Sequence, residues 1–199
     1  MGKIIVGIAG EIASGKDTVA RYLANQYGAR TFMFSDPLRD VLNRIHVAQT
    51  RENLTKVSGA LRSAFGENLL SHAIAEDAVR DPNPLVVIDG VRRQSDIEAV
   101  KGFPEFSLIY VEASMETRYG RIVKRRQNAD DDTKTFEDFK RDHSLETEVG
   151  IPALKGQARY VIGNEGSLEE LYAAVDTAIA EMRKEASDRK RLRDAESGE

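Results

Sequence analysis

The stretch GIAGEIASGKDT, residues 7–18, constrains this chain more than any other. An apolar β-branched run, KIIVGIA, ends at Ala9. The glycine-bearing segment after it opens into a helical pattern over residues 16–27, with Val19, Ala20, Leu23 and Tyr27 on one face. Gly10, Gly15 and Lys16 satisfy the spacing G-x-x-x-x-G-K. A strand that turns through glycines into a helix N-terminus aims backbone N–H groups inward, which is how phosphate is bound. In that reading Gly10, Ala13, Ser14, Gly15 and Lys16 form the cradle, and Lys16 reaches the β- and γ-phosphates. Thr18, in the first helical turn, donates to the α-phosphate. The competing reading is an ordinary glycine-rich strand-to-helix turn.

Asp17 stands where this pattern usually has Ser or Thr, whose hydroxyl would ligate Mg²⁺. A carboxylate is also a hard oxygen ligand, so Asp17 can take the metal role, directly or through water. It can instead be a first-turn acid that only favours the helix dipole.

The rest of the chain repeats the alternation. The short apolar runs ARTFMF (29–34), PLVVID (84–89), FSLIYVEA (106–113) and ARYVIG (158–163) are bounded by Gly, Pro or Asp and separated by amphipathic segments. Residues 50–80 read as two helices broken near Gly66. Ser95 with Glu98, and Ser167 with Glu170, have capping-box spacing, and Ser114 caps a helix running to about Arg126. This pattern predicts an α/β fold, a doubly wound five-stranded parallel sheet with helices on both faces. The polar stretch 126–150 interrupts it, with a short helix from about Thr135. The tail from Lys184 to residue 199 is almost free of apolar residues and reads as a solvated helix extension that frays.

At a net charge of −4 the chain lacks the basic balance of a general nucleic-acid binder. It has no cysteine, and its three histidines, His46, His72 and His143, are scattered. No apolar run approaches the ~18 residues of a membrane span. These features predict a cytoplasmic protein with no nucleic-acid or membrane partner, monomeric or homodimeric.

Several polar residues fall at the same edge of the expected sheet as the phosphate loop. Asp89 ends the run LVVID; it can order Mg²⁺ and its waters or accept a proton, or simply make a turn with Gly90. Arg92 and Arg93 follow, one placed to hold an acceptor phosphate and the other to lie on the surface. In FSDPLRD, Asp36 and Arg39 either recognise an acceptor or, for Asp36, cap the helix opened by Pro37. Arg62 either covers the acceptor site or lies on a solvated face. Arg118, Arg121 and Arg125 share one helical face, as a solvated stripe or as donors that neutralise a transferring phosphoryl group. Asn164, Gly166 and Ser167 begin the last helix, where backbone groups could read an adenine ring. No N-K-x-D element of a guanine-nucleotide switch is present, and KVSGAL is not the signature of a transporter-type ATPase.

Over residues 3–183 the sequence resembles the nucleoside monophosphate kinase-like group of P-loop kinases. GEIASGKDT is similar to the loop of kinases that carry Asp in place of the usual Ser, including phage-type deoxynucleoside monophosphate kinases and animal-type phosphomevalonate kinases. FSDPLRD resembles the deoxynucleotide kinases, and ARYVIGNEGSLEELYAAVD the dephospho-CoA kinases. VIDGVRR looks like the Asp-Gly-x-Arg element that both place at the acceptor site. The resemblance implies one P-loop kinase domain over 1–183, with a helical acceptor region near 36–80, a lid near 121–146, and ATP and Mg²⁺ as co-substrates. It implies phosphate contact by Lys16, metal handling by Asp17, metal or acceptor contact by Asp89, acceptor-phosphate contact by Arg92 and lid roles for Arg121 and Arg125. The implied reaction is γ-phosphoryl transfer to a nucleoside or deoxynucleoside monophosphate, with dephospho-CoA as the other acceptor. A P-loop ATPase or nucleotide switch without a small acceptor is the more distant reading.

Overall fold

The structure is a computed structural model and describes residues 2–125, 135–142 and 150–196. Its centre is β1 (Ile4–Ala9), all six residues of which are buried. Four further strands run parallel to it: β2 (Arg30–Met33), β3 (Leu85–Val91), β4 (Phe106–Glu112) and β5 (Tyr160–Gly163), in the order β2-β3-β1-β4-β5. Val6 stands opposite Val87 on one side, and Gly7 opposite Leu108 on the other. A parallel strand buried on both faces must be apolar throughout, which is why these runs show no polar alternation. The expected five-stranded α/β architecture is the one observed.

Helices cover both faces. On one, α1 (Lys16–Tyr27) and the last helix pack Val19, Leu23, Val175, Ile179 and Met182 over Ile4, Val6 and Ile8. On the other, α4 (Leu69–Arg80) sets Ile74 and Ala78 against Ile5, Val86 and Ile88. Two helices, α2 (Asp36–Arg44) and α3 (Arg51–Phe65), extend outward after β2, and α3 buries none of its residues. The short α5 (Gln94–Ile97) follows β3, α6 (Met115–Arg125) follows β4, and α7 (Phe136–Asp142) and α8 (Ile151–Leu154) precede β5.

Local chemistry explains most boundaries. Gly28 ends α1 in the left-handed conformation and donates to the carbonyl of Ala24. Ser114 Oγ accepts from the Thr117 N–H at 3.2 Å, and Thr135 with Asp138 caps α7. The box at Ser167 and Glu170 is reciprocal: each backbone N–H donates to the other's side chain, at 2.8 and 3.2 Å. Two expectations are revised. Ser95 and Glu98 do not cap α5; Asp96 does so, accepting from the N–H groups of Arg92 and Arg93 at 2.9 and 3.0 Å. Nor does the chain fray from Lys184, for α9 (Leu168–Glu196) continues as helix, with Ala186 buried beside Gly2 and Arg193 paired to Glu105 at 3.4 Å. Much of the proposed lid, 126–134 and 143–149, lies outside the described residues.

One polar knot ties α1 to α9. Asp176 accepts from the hydroxyls of Tyr22 and Tyr27 at 2.8 and 2.6 Å, and Tyr22 stacks on Tyr172 at 4.0 Å. Burial first, and then the Asp176 hydrogen bond, push the Tyr27 phenol up to about 12. The folded state therefore keeps a proton that the unfolded chain releases near pH 10.0, so stability falls as pH rises from there towards 12. Asp176→Asn should cost about 1–2 kcal/mol near neutral pH. It should also flatten the alkaline fall of the urea midpoint, which equilibrium unfolding followed across that range would measure.

Candidate active site

Beyond Ala9 the backbone turns where few side chains fit. A Cβ on Gly10 would run into the carbonyl of Val111, and one on Gly15, at φ 107°, into the amide of Asn164. Ala13 sits at φ 60°, a left-handed conformation that costs a non-glycine residue roughly 1–2 kcal/mol. That strain is held from outside. Arg121 Nη1 donates to the carbonyls of Ala13 and Ser14 at 3.4 and 3.2 Å. Asn164 Nδ2 donates to the Ser14 carbonyl at 2.7 Å, and Arg118 Nη1 lies 3.5 Å from the Ile12 carbonyl. In a trans peptide the next N–H points opposite the carbonyl. The N–H groups of Ala13 and Gly15 therefore turn towards the cleft their residues line. Ser14 is fully buried, and its Oγ has no partner.

The cleft has a volume of about 1040 Å³ and lies at the C-terminal edge of the sheet, where open α/β sheets bind ligands. Lys16, Asp17, Thr18, Asp89 and Arg121 line its loop side. Lys16 Nζ is 3.7 Å from Asp17 Oδ1. Asp89 projects from β3 with its Oδ1 buried and without a partner. Burial first, and then the negative charge of Asp17, raise its pKa, against the opposing pull of Lys16, the Gly90 N–H and Arg92. An unpartnered buried carboxylate oxygen beside a second carboxylate fits a hard cation. Among the described residues no three acidic or histidine side chains gather to hold one unaided, so a Mg²⁺ here needs oxygens from its ligand or water.

The other half of the cleft is lined by Arg62, Arg92 and Arg93 with Ser35, Ser58 and Asp96. Arg62 donates to the Glu67 carbonyl at 2.6 Å and pairs with its carboxylate at 3.3 Å, while Arg93 stands 3.9 Å from the same carboxylate. Both arginines of the tandem face the cleft, so the division into one cleft and one surface residue is corrected. Asp36 and Arg39 are not among the lining residues. Asp36 accepts from the Met33 N–H at 2.7 Å, closing the turn before α2, and Arg39 donates to Gln49. Asn164 and Gly166 do not line it either: Asn164 is spent on the loop, and Gly166 lies against Glu170. Within the arginine stripe, Arg118 is buried, 3% exposed, and Arg121 is half-buried. Arg125 ends α6, and its side chain is outside the described part. Asn164 stands at the sheet edge beside the loop, as its position after the last strand predicts, but the bonds that Arg118 and Asn164 make to the loop carbonyls left no signal in the sequence, because both act from more than 100 residues away.

A family model for an AAA domain matches residues 7–140. The chain belongs to the AAA domain family. A UPF0200 protein of Staphylothermus marinus is 32% identical to it over 168 residues, 84% of this chain and 87% of that protein. Among solved structures, a gluconokinase from Sinorhizobium meliloti 1021 aligns with a TM-score of 0.56 at 14% identity, covering 96% of this chain and 97% of its own. A shikimate kinase from Bacteroides thetaiotaomicron aligns at 0.57 and 14%, covering 90% and 98%. These neighbours establish the fold, that of the P-loop kinases. Among the described residues no helix is long and apolar enough to cross a membrane.

Two substitutions test the loop and the buried carboxylate. Gly15→Ala adds a methyl group to a left-handed residue against Asn164, and should destabilise the protein by about 1–3 kcal/mol, read as a lower melting temperature. Asp89 holds its proton to a higher pH in the folded state than the ordinary 3.8, so its ionisation costs stability as pH rises through that interval. Asp89→Asn should melt close to the wild type at the acid end and above it once the wild-type carboxylate is ionised, as melting curves between pH 3 and 8 would show.

Proposed function

We propose that the chain is an ATP-dependent small-molecule kinase that transfers the γ-phosphoryl group of ATP to a phosphate-bearing acceptor of the nucleoside monophosphate class. The observation that carries this is the meeting of two anion seats in one cleft: the loop N–H groups with Lys16 on one side, and Arg62, Arg92 and Arg93 on the other. A nucleotide switch or simple ATPase needs only the first.

In this reading the loop N–H groups and Lys16 bind the donor phosphates, and Thr18 contacts the α-phosphate. Asp17 and Asp89 would hold Mg²⁺, which supplies charge neutralisation on the phosphates when bound with the nucleotide. The arginines hold the acceptor anion and orient its attacking oxygen. Arg121, touching both loop and cleft, offsets negative charge near the donor phosphates. Transfer between two held phosphates asks for positioning and charge neutralisation rather than covalent work. The acceptor region is assigned to 36–80 and the lid to 121–146.

A second reading draws on Asp89. A carboxylate whose proton affinity is raised by burial, with an unpartnered oxygen, is suited to take a proton from an alcohol. That favours a hydroxyl acceptor such as dephospho-CoA, whereas a phosphate acceptor needs no base. A coupled assay of ADP formation with nucleoside monophosphates, deoxynucleoside monophosphates and dephospho-CoA separates the two. ADP released equally fast with no acceptor would overturn both. Lys16→Ala should lower kcat/KM by about 100- to 1000-fold with the fold retained, as judged by circular dichroism.

A further inference from the structure

Glu11 poses an electrostatic problem. It is the residue after Gly10, so it sets a negative charge inside a loop read as a seat for phosphates. Unneutralised, it would repel them. The structure places a guanidinium against it. Arg118 Nη2 pairs with Glu11 Oε1 at 3.1 Å, Nε donates to the Ala113 carbonyl at 3.1 Å, and Nη1 approaches the Ile12 carbonyl. The guanidinium is buried, and the ring of Phe139, itself fully buried, lies 5.7 Å from its centre. Tyr119 packs on that ring in turn, at 5.8 Å. With Arg118 buried and the Glu11 side chain 23% exposed, the partly buried pair is screened less than one on the surface.

Arg118 does not line the cleft, whereas its neighbour on the same helical face, Arg121, does. It therefore acts on the ligand through the loop. We propose that Arg118 is a positioning residue: it neutralises Glu11, draws that carboxylate to the outer side of the loop, and helps hold the Ile12 peptide so that the Ala13 N–H faces the phosphates. Phe139 of α7 seals the pair. The proposal rests on the reading of the loop as a nucleotide phosphate seat and does not depend on which acceptor is used.

The test is calorimetric titration with Mg²⁺·ADP of the full chain and four variants, each checked for folding by thermal melting. Arg118→Ala takes this guanidinium away from Glu11 and the Ile12 carbonyl and should weaken binding about 10- to 100-fold. Glu11→Gln removes the charge and should change binding by less than about 3-fold. The decisive variant is the double one, Glu11→Gln with Arg118→Ala. It should bind more tightly than Arg118→Ala alone, because the repelling charge is gone, an outcome a purely structural role does not produce. Arg118→Lys keeps the charge but cannot reach all three oxygens, and should fall between wild type and Arg118→Ala; it carries the comparison if Arg118→Ala does not fold. Wild-type affinity in Arg118→Lys or Arg118→Ala, or a double variant no better than Arg118→Ala, would overturn the proposal while leaving the nucleotide reading intact. Absence of Mg²⁺·ADP binding to the wild type would overturn both.

Discussion

The carbonyls of Ile12, Ala13 and Ser14 accept hydrogen bonds from side chains of α6 and of the residue just past β5, and the geometry of the cleft follows from that contact. A peptide group is a rigid dipole. With its oxygen held on the outer side, its N–H must face the other way. Three donors from distant parts of the chain thus leave the Ala13 and Gly15 N–H groups on the cleft side, while the Ser14 N–H closes the loop on the Glu11 carbonyl at 3.0 Å. They also help hold the left-handed backbone at Ala13, together with the local turn that the Ser14 N–H closes on the Glu11 carbonyl. The parallel sheet makes the contact feasible: β4 and β5 lie beside β1 on the same side, so the segments leaving their C-terminal ends converge on the segment leaving β1.

Charge is arranged around that loop with little waste. Lys16 and the acids Asp17 and Asp89 line one side of the cleft, Arg62, Arg92 and Arg93 line the other, and Glu11, which does not line it, pairs with Arg118. Of the four buried side-chain atoms without a hydrogen-bond partner among the described residues, Asp89 Oδ1 and Ser14 Oγ belong to this region, and Tyr160 Oη and Arg189 Nε lie elsewhere. Natural proteins satisfy nearly all buried polar atoms, and an unpartnered one beside a cleft is where a ligand can complete it.

Much of the fold was legible because its strongest signals are local. The central strands β1, β3 and β4 are mainly buried and read as apolar runs, the half-exposed edge strands β2 and β5 were readable from β-branched and aromatic residues, and the break between α3 and α4 was readable at Gly66. The boundary errors have physical causes. At α5, Asp96 outcompetes Ser95 because its longer reach and full charge let it accept from two N–H groups at once. In the tail, one small residue, Ala186, meets a glycine at the N-terminus, and that contact extends the helix past the point where its composition turns polar.

The candidate site divides along the same line. Lys16, Asp17, Thr18 and Asp89 were identifiable because their positions are set by their own strand-to-loop junctions, within a few residues of an apolar run. Asp36 and Arg39, offered as acceptor contacts, do not line the cleft, and the side-chain partners of Asn164 and Arg118 were not readable, because the direction of a polar side chain depends on partners brought near by folding. By itself, the sequence determined the sheet, the loop and the acidic pair, since periodicity and glycine spacing act over short distances. Only the tertiary structure decided which arginines face the cleft and which hold the loop. A guanidinium has the same propensity in either place, and the carbonyls that capture it lie more than 100 residues away along the chain.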